Sequence, residues 1–139
     1  DDMDLFVIVD KLETDGSATP FCYFSVFEDG PLALGWLRVS HRELDPQRSK
    51  PWQPWLLHQR ELRLKPGEIV PVEIEILASS TLFRAGESLR ITVRGCETYK
   101  PKQHGPEMKH GPLRNRGHHV IYSGGRYDSH LLVPLIPRS

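Results

Sequence analysis

Two segments of this chain alternate apolar and polar residues with a period of two. Residues 72–76 read Val-Glu-Ile-Glu-Ile, and residues 89–94 read Leu-Arg-Ile-Thr-Val-Arg. Successive side chains of a strand point to opposite faces, so each segment predicts a β-strand with one buried and one solvated face. Since no segment has a sustained helical period, the sequence predicts an all-β fold.

Further apolar runs are separated by turn residues. Glycine lies in the predicted turns at Asp15-Gly16, Pro66-Gly67 and Ala85-Gly86, and we expect a short helical turn at 41–44. Short, regularly spaced strands favour a single β-sandwich or jelly-roll domain over residues 1–139. The other predicted strands are 3–12, 21–27, 34–40, 119–122 and 129–136.

Charge and hydropathy exclude several classes of partner. The chain has 18 basic and 18 acidic residues, a formal net charge of zero, so it has no overall field to attract nucleic acid or an anionic membrane. The longest apolar stretch, 131–136, is far too short to span a bilayer. We therefore predict neither a nucleic-acid partner nor a membrane partner.

The chain has two cysteines and seven histidines. Cys22 and Cys96 lie in apolar stretches without metal-ligand spacing, which predicts buried free thiols and favours a reducing, cytoplasmic compartment. Four histidines fall within 104–119, but the adjacent His118 and His119 would point to opposite faces of a strand. We predict no metal site and no cofactor.

Catalytic motifs are missing from the sequence. No serine lies in a G-x-S-x-G elbow, and there is no Walker loop, G-x-G-x-x-G or H-E-x-x-H pattern. A serine hydrolase needs its nucleophile on a sharp turn beside a histidine and an acid. The sequence therefore predicts no catalytic residue and disfavours an independent esterase.

The candidate binding residues lie in two long loops. Trp52 and Trp55 fall in a proline-rich loop, where packing on another domain is favoured over stacking on a sugar, whereas Trp36 lies in an apolar strand and is predicted to be in the core. Tyr99 and His104 belong to the basic loop 98–117. That loop is open to three interpretations: a solvated loop, a small anion or nucleic-acid patch, or a docking segment.

Five stretches, in order along the chain, resemble the C-terminal non-catalytic domain of X-Pro dipeptidyl-peptidases and cocaine-esterase-type (CocE/NonD) acyl hydrolases. The most specific is Gly-Trp-Leu-Arg-Val-Ser-His-Arg-Glu-Leu at 35–44, which is preceded by an Asp-x-Asp strand start at 2–4. The other stretches are 64–74, 80–91 and 124–137.

The resemblance implies a galactose-binding-like jelly roll that packs on an α/β-hydrolase catalytic domain and shapes the rim of its active site. It also implies that the first strands of the jelly roll are missing, a gap we expect to be filled by another chain, by swapping in a homo-oligomer or by the parent sequence. The interface candidates are Trp52, Trp55, Tyr99 and His104. The alternative function is a free-standing carbohydrate-binding module.

Overall fold

The computed structural model describes residues 1–23, 27–96 and 111–136. Its elements, in chain order, are β1 (Asp4–Leu12), β2 (Phe21–Tyr23), β3 (Phe27–Gly30), β4 (Ala33–Arg38), a 3-10 turn (Val39–His41) and β5 (Ser88–Arg94). The fold is all-β, as predicted. Among the described residues no helix is long and apolar enough to cross a membrane.

The strands form two antiparallel sheets. The larger has the order β4-β1-β5, and in its register Val7 pairs with Gly35 on one side and with Val93 on the other. The smaller sheet pairs β2 with β3. The predicted strand 21–27 therefore begins as expected at Phe21, and its residues 24–26 lie outside the described part of the chain.

The inner face of the larger sheet carries the core. Leu5, Val7 and Val9 of β1 are buried, as are Ala33 and Leu37, which pair with Val9 and Leu5 and therefore share their face. The partly buried side chains packed on this cluster are Leu32, Ile74 and Ile76. The apolar residues of 72–76 are partly buried and both glutamates are exposed, so the predicted alternation is present, but the segment is not the strand that was predicted.

Segment 72–77 runs beside β4 without forming a regular ladder. Gly35 and Ile76 form an isolated bridge, and the Leu77 amide donates to the Leu34 carbonyl at 2.8 Å. The approach is so close that a Cβ on Gly35 would lie 2.8 Å from Ile76 Cδ1. Only glycine can occupy this position of β4 without moving its neighbour.

The turns predicted from glycine are confirmed. Gly16, Gly67 and Gly86 all have positive φ angles, between 78° and 87°, which side chains with a Cβ rarely adopt. After the turn at Gly86, Glu87 pairs with Lys11 at 2.9 Å, and both side chains are largely buried. This ion pair joins the end of β1 to the start of β5.

Several predictions were wrong. Residues 119–122 and 129–136 are not strands, and none of the described ladders includes them, although His119 lies close to Gly95 just after β5. Cys22 and Cys96 are free but exposed, because neither lies on the inner face of the larger sheet. Trp36 is 42% exposed, since it alternates with Gly35 and Leu37 and therefore points away from the core.

Candidate functional site

A cleft of about 690 Å³ opens on the outer face of β1 and β4. Its walls come from β1, β4, His41 of the 3-10 turn, the loop around residues 54–58, the segment 73–77 and residues 111–113. The aromatic, imidazole and acidic side chains that line it include Trp36, Trp55, His41, His58, Glu73 and Glu75.

Trp36 is placed in the cleft by the pleat of β4. It pairs with Phe6 of β1, so the two aromatic side chains share the outer face. At the end of the strand Arg38 donates from Nε to Asp4 Oδ1 at 2.7 Å, and the same guanidinium donates to the Pro112 carbonyl at 3.0 Å. These bonds join residues 111–113 to the sheet and complete the wall.

Trp55 is placed by a loop with several internal hydrogen bonds. The Asp45 amide donates to the Trp55 carbonyl at 2.7 Å, and Ser49 Oγ accepts from the Trp55 amide at 2.9 Å. Arg48 Cζ lies 3.6 Å from the centre of the Trp55 ring, close enough for a cation–π interaction. The ring remains 40% exposed on a backbone that is well fixed.

His41 and His58 meet at the wall of the cleft. Their Nδ1 atoms are 3.4 Å apart, and their ring centroids are 5.4 Å apart with a 43° tilt. His41 ends the 3-10 turn, whereas His58 lies in the loop with a φ of 52°, the only positive φ of a non-glycine residue in the described ranges. The two histidines are 17 positions apart in the sequence, and nothing in the sequence indicated that their rings would meet.

Glu73 and Glu75 bring negative charge to the cleft. Both line it, and neither has a hydrogen-bond or ion-pair partner among the described residues. The sequence showed them only as the solvated face of a strand. Two carboxylates beside two half-exposed tryptophans favour a partner that presents cationic or hydroxyl groups over an apolar surface.

The acidic side chains of Asp4 and Glu61 form ion pairs with neighbouring arginines. Burial favours a raised pKa for Asp4, but hydrogen bonds from the Arg38 side chain and the Arg114 amide outweigh it and hold that pKa below its usual value. The Glu61 carboxyl also has a lowered pKa, chiefly because the Arg63 guanidinium donates to it, and the charge of His41 contributes. The Asp4–Arg38 pair therefore stays charged near neutral pH.

The family-like stretch 35–44 has its polar side chains engaged in structural contacts. Ser40, fully buried, donates from Oγ to Asp2 Oδ2 at 2.8 Å, so the first aspartate of the Asp-x-Asp motif holds the end of β4. Arg42 donates to the Val39 and Leu62 carbonyls. Glu43 accepts from Arg60 Nε at 2.8 Å.

The groups that line the cleft suit binding rather than covalent catalysis. Within the described part of the chain, no serine, threonine or cysteine lines it. In those same ranges no group of three or more histidine, cysteine, aspartate or glutamate side chains is arranged to hold a metal ion. The cleft is a recess lined by aromatic, acidic and imidazole side chains.

Of the four predicted interface residues, the structure describes Trp52 and Trp55. Trp55 lines the cleft, whereas Trp52 is 72% exposed and lies outside it. Tyr99 and His104 lie outside the described residues. The cleft contains Trp36, the two histidines and the two glutamates, which were not predicted as site residues.

The comparisons with known proteins agree on one family. A family profile described as the X-Pro dipeptidyl-peptidase C-terminal non-catalytic domain matches residues 1–132. Two crystal structures of a CocE/NonD family hydrolase from Staphylococcus aureus are similar at 47% identity, with TM-scores of 0.77 and 0.78 over 83% and 84% of this chain. A comparison with curated proteins found no match.

The chain spans 21% of the length of that hydrolase. The resemblance inferred from the Asp-x-Asp start and the stretch 35–44 is thereby confirmed, and those residues are the structural contacts described above. The chain belongs to the family of X-Pro dipeptidyl-peptidase C-terminal non-catalytic domains.

Proposed function

We propose that this chain is the accessory domain of a CocE/NonD-type serine hydrolase, that it packs on the α/β catalytic domain and that it narrows the substrate cleft of that domain. The catalytic triad lies in the partner domain under this proposal. No residue of this chain is a nucleophile, a base or an oxyanion donor.

The observation that carries the proposal is an apolar stripe on β5. Leu89, Ile91 and Val93 are 38–44% exposed, although they pair with Lys11, Val9 and Val7 and so lie on the face that holds the core. The segment 120–136 also exposes large apolar side chains: Val120, Ile121, Tyr122, Leu132, Val133, Leu135 and Ile136.

A core face that continues into exposed valine, leucine and isoleucine is unusual for an independent soluble domain. Contiguous apolar surface of this kind marks a protein–protein interface. β5 is also an edge strand of the described sheet, with main-chain groups able to pair with an added strand. Both features support a domain whose surface is completed by other polypeptide.

The first test is the mass of the native protein, detected in its source with an antibody raised against this chain. The proposal expects a species several domains larger than the 15.9 kDa of the chain. A species of about 15.9 kDa would reject it and leave a free-standing module or a homo-oligomer.

A second test asks whether the stripe is covered. In a variant with Cys22 and Cys96 replaced by serine, Ile91→Cys is compared with Lys50→Cys, an exposed position in the tryptophan loop. The proposal expects maleimide to label position 91 at least tenfold more slowly than position 50 in the native protein. Equal rates would mean that the stripe is open to solvent.

The role in the substrate cleft is tested by comparing Trp55→Ala with Trp52→Ala in the parent enzyme. Trp55 lines the recess and Trp52 does not. We expect Trp55→Ala to raise KM for a bulky X-Pro peptide or acyl ester more than Trp52→Ala does. Identical kinetics for both variants and the wild type would remove the cleft-shaping role.

The carbohydrate-binding alternative is favoured by one observation: two half-exposed tryptophans lie beside the unpartnered Glu73 and Glu75. Stacking rings with adjacent carboxylates suit a sugar. Glycan-array binding that is lost in Trp55→Ala would support this function, and an empty array would exclude it.

A further inference from the structure

The positions of His41 and His58 are set by a short antiparallel pairing. The Leu57 amide donates to the Glu43 carbonyl at 2.9 Å, the Asp45 amide donates to the Trp55 carbonyl, and Leu44 bridges Leu56. This register brings the residues just before Glu43 opposite those just after Leu57. The main-chain bonds therefore bring the two segments side by side, with Arg42 opposite His58 and His41 one residue further along.

The distance between the rings has a chemical meaning. Two nitrogens bound to one tetrahedral zinc ion, each at about 2.0–2.1 Å, lie about 3.4 Å apart. The Nδ1 atoms of His41 and His58 are 3.4 Å apart. A direct N–H···N hydrogen bond prefers a distance of about 2.7–3.2 Å, so the observed spacing matches two ligands of one ion better.

The backbone of His58 is the second observation. A φ of 52° is uncommon for a residue with a Cβ, and such conformations persist only where the surroundings impose them. The neighbouring Leu57 amide is bonded to the Glu43 carbonyl, and His58 Nδ1 lies 3.4 Å from His41 Nδ1. A ring held in this way is arranged for binding before any ligand arrives.

Charge and access also suit a cation. Both histidines line the open cleft, and Glu73 and Glu75 line it without partners among the described residues. Arg38 also lines the cleft, but its guanidinium is paired with Asp4. The two glutamates are therefore the unpaired charges of the lining, and they favour a bound cation over an anion.

We propose that His41 and His58 form a two-imidazole site for a divalent transition-metal ion, with Cu²⁺ bound more tightly than Zn²⁺. Imidazole selects these ions over Mg²⁺ and Ca²⁺, which prefer oxygen ligands. Water, or a donor from a packed partner, occupies the remaining coordination positions. The proposal does not depend on the proposed accessory role.

The test titrates Cu²⁺ and then Zn²⁺ into the native full-length protein after removal of metal by a chelator. His58→Asn is the informative variant, because asparagine tolerates a positive φ and so removes the imidazole without adding backbone strain. His41→Gln removes the other ligand. His130→Gln is the matched control, since His130 is exposed and lies outside the cleft.

We expect His58→Asn and His41→Gln each to lose one equivalent of bound Cu²⁺ and the associated rise in Tm, while His130→Gln keeps both. The other histidines are common to the wild type, His58→Asn and His41→Gln, so the measured quantity is the one equivalent of Cu²⁺ that these two variants lose. The Cu²⁺ spectrum of the wild type should indicate two nitrogen ligands for that equivalent. Unchanged stoichiometry in His58→Asn, or no saturable binding in the wild type, would overturn the proposal.

Discussion

Gly35 is the position where a single added methyl group tests the packing most directly. In Gly35→Ala the new Cβ would lie closer than 3.0 Å to the Glu75 carbonyl oxygen and 2.8 Å from Ile76 Cδ1. The backbone of Gly35 is not in the left-handed region, so alanine can adopt its conformation. The cost is therefore steric, and it falls on a main-chain atom that has little freedom to move.

Three contributions set the magnitude. Overpacking costs about 1–3 kcal/mol, and loss of the bond from the Leu77 amide to the Leu34 carbonyl costs about 0.5–1.5 kcal/mol. Replacing glycine by alanine restricts the unfolded chain and returns about 0.4–1 kcal/mol. We expect a net loss of about 1–3 kcal/mol in the free energy of unfolding, or roughly 3–10 °C in Tm.

Urea unfolding followed by tryptophan fluorescence measures the loss, and hydrogen exchange at the Leu77 amide shows whether segment 72–77 has separated from β4. The control is Gly111→Ala, where nothing lies within 4 Å of the new Cβ and the φ is not positive. That variant should be neutral or slightly more stable. If Gly35→Ala were as stable as the control, with Leu77 still protected, the close approach would play no part in stability.

Three further predictions concern the polar contacts around β1 and β4. Asp4→Asn should lower the free energy of unfolding by about 2 kcal/mol at pH 7. Because the folded-state pKa of Asp4 is lowered, the stabilisation it gives is lost as the pH falls below the usual 3.8, so the urea midpoints of the variant and the wild type should converge at acid pH. A difference between the midpoints that stays constant with pH would contradict this. Ser40→Ala should lower the free energy of unfolding in urea by about 1.5–3 kcal/mol, because a buried hydroxyl that donates to the Asp2 carboxylate is removed. A loss below about 0.5 kcal/mol would refute this. Arg42→Lys should lower the free energy of unfolding by about 1 kcal/mol in the same assay, because Arg42 Nη1 donates to the Val39 and Leu62 carbonyls and the shorter lysine side chain does not reach the position of that nitrogen. Full retention of stability would show that the ammonium replaces both bonds.

Period-two patterning and turn glycines predicted the parts of the fold that depend on local chemistry. β1 was predicted almost to its ends, because both of its faces are covered. The alternation at 89–94 correctly predicted a strand, but its apolar face is exposed, since burial depends on which other segment lies against it. Residues 119–122 failed for the same reason: strand formation requires a neighbouring edge, and a sequence window does not show one.

The candidate site was harder to predict than the fold. Trp55 was singled out because a tryptophan in a proline-rich loop is unusual, and it does line the cleft. Trp36 was assigned to the core because its neighbours are apolar, although the pleat of β4 turns it outward. His41 and His58 are brought together by the bonds between Glu43 and Leu57, which no spacing rule encodes.

The contacts of the stretch 35–44 have a consequence for how mutations in this family would be detected. Ser40 and Arg42 bind a carboxylate and main-chain carbonyls, and Gly35 leaves room for a neighbouring backbone. If the chain is the accessory domain proposed above, replacing Gly35, Ser40 or Arg42 should lower the fraction of molecules that fold and leave the turnover of each folded molecule unchanged. A screen that normalises activity to soluble enzyme would then miss the effect of these three residues.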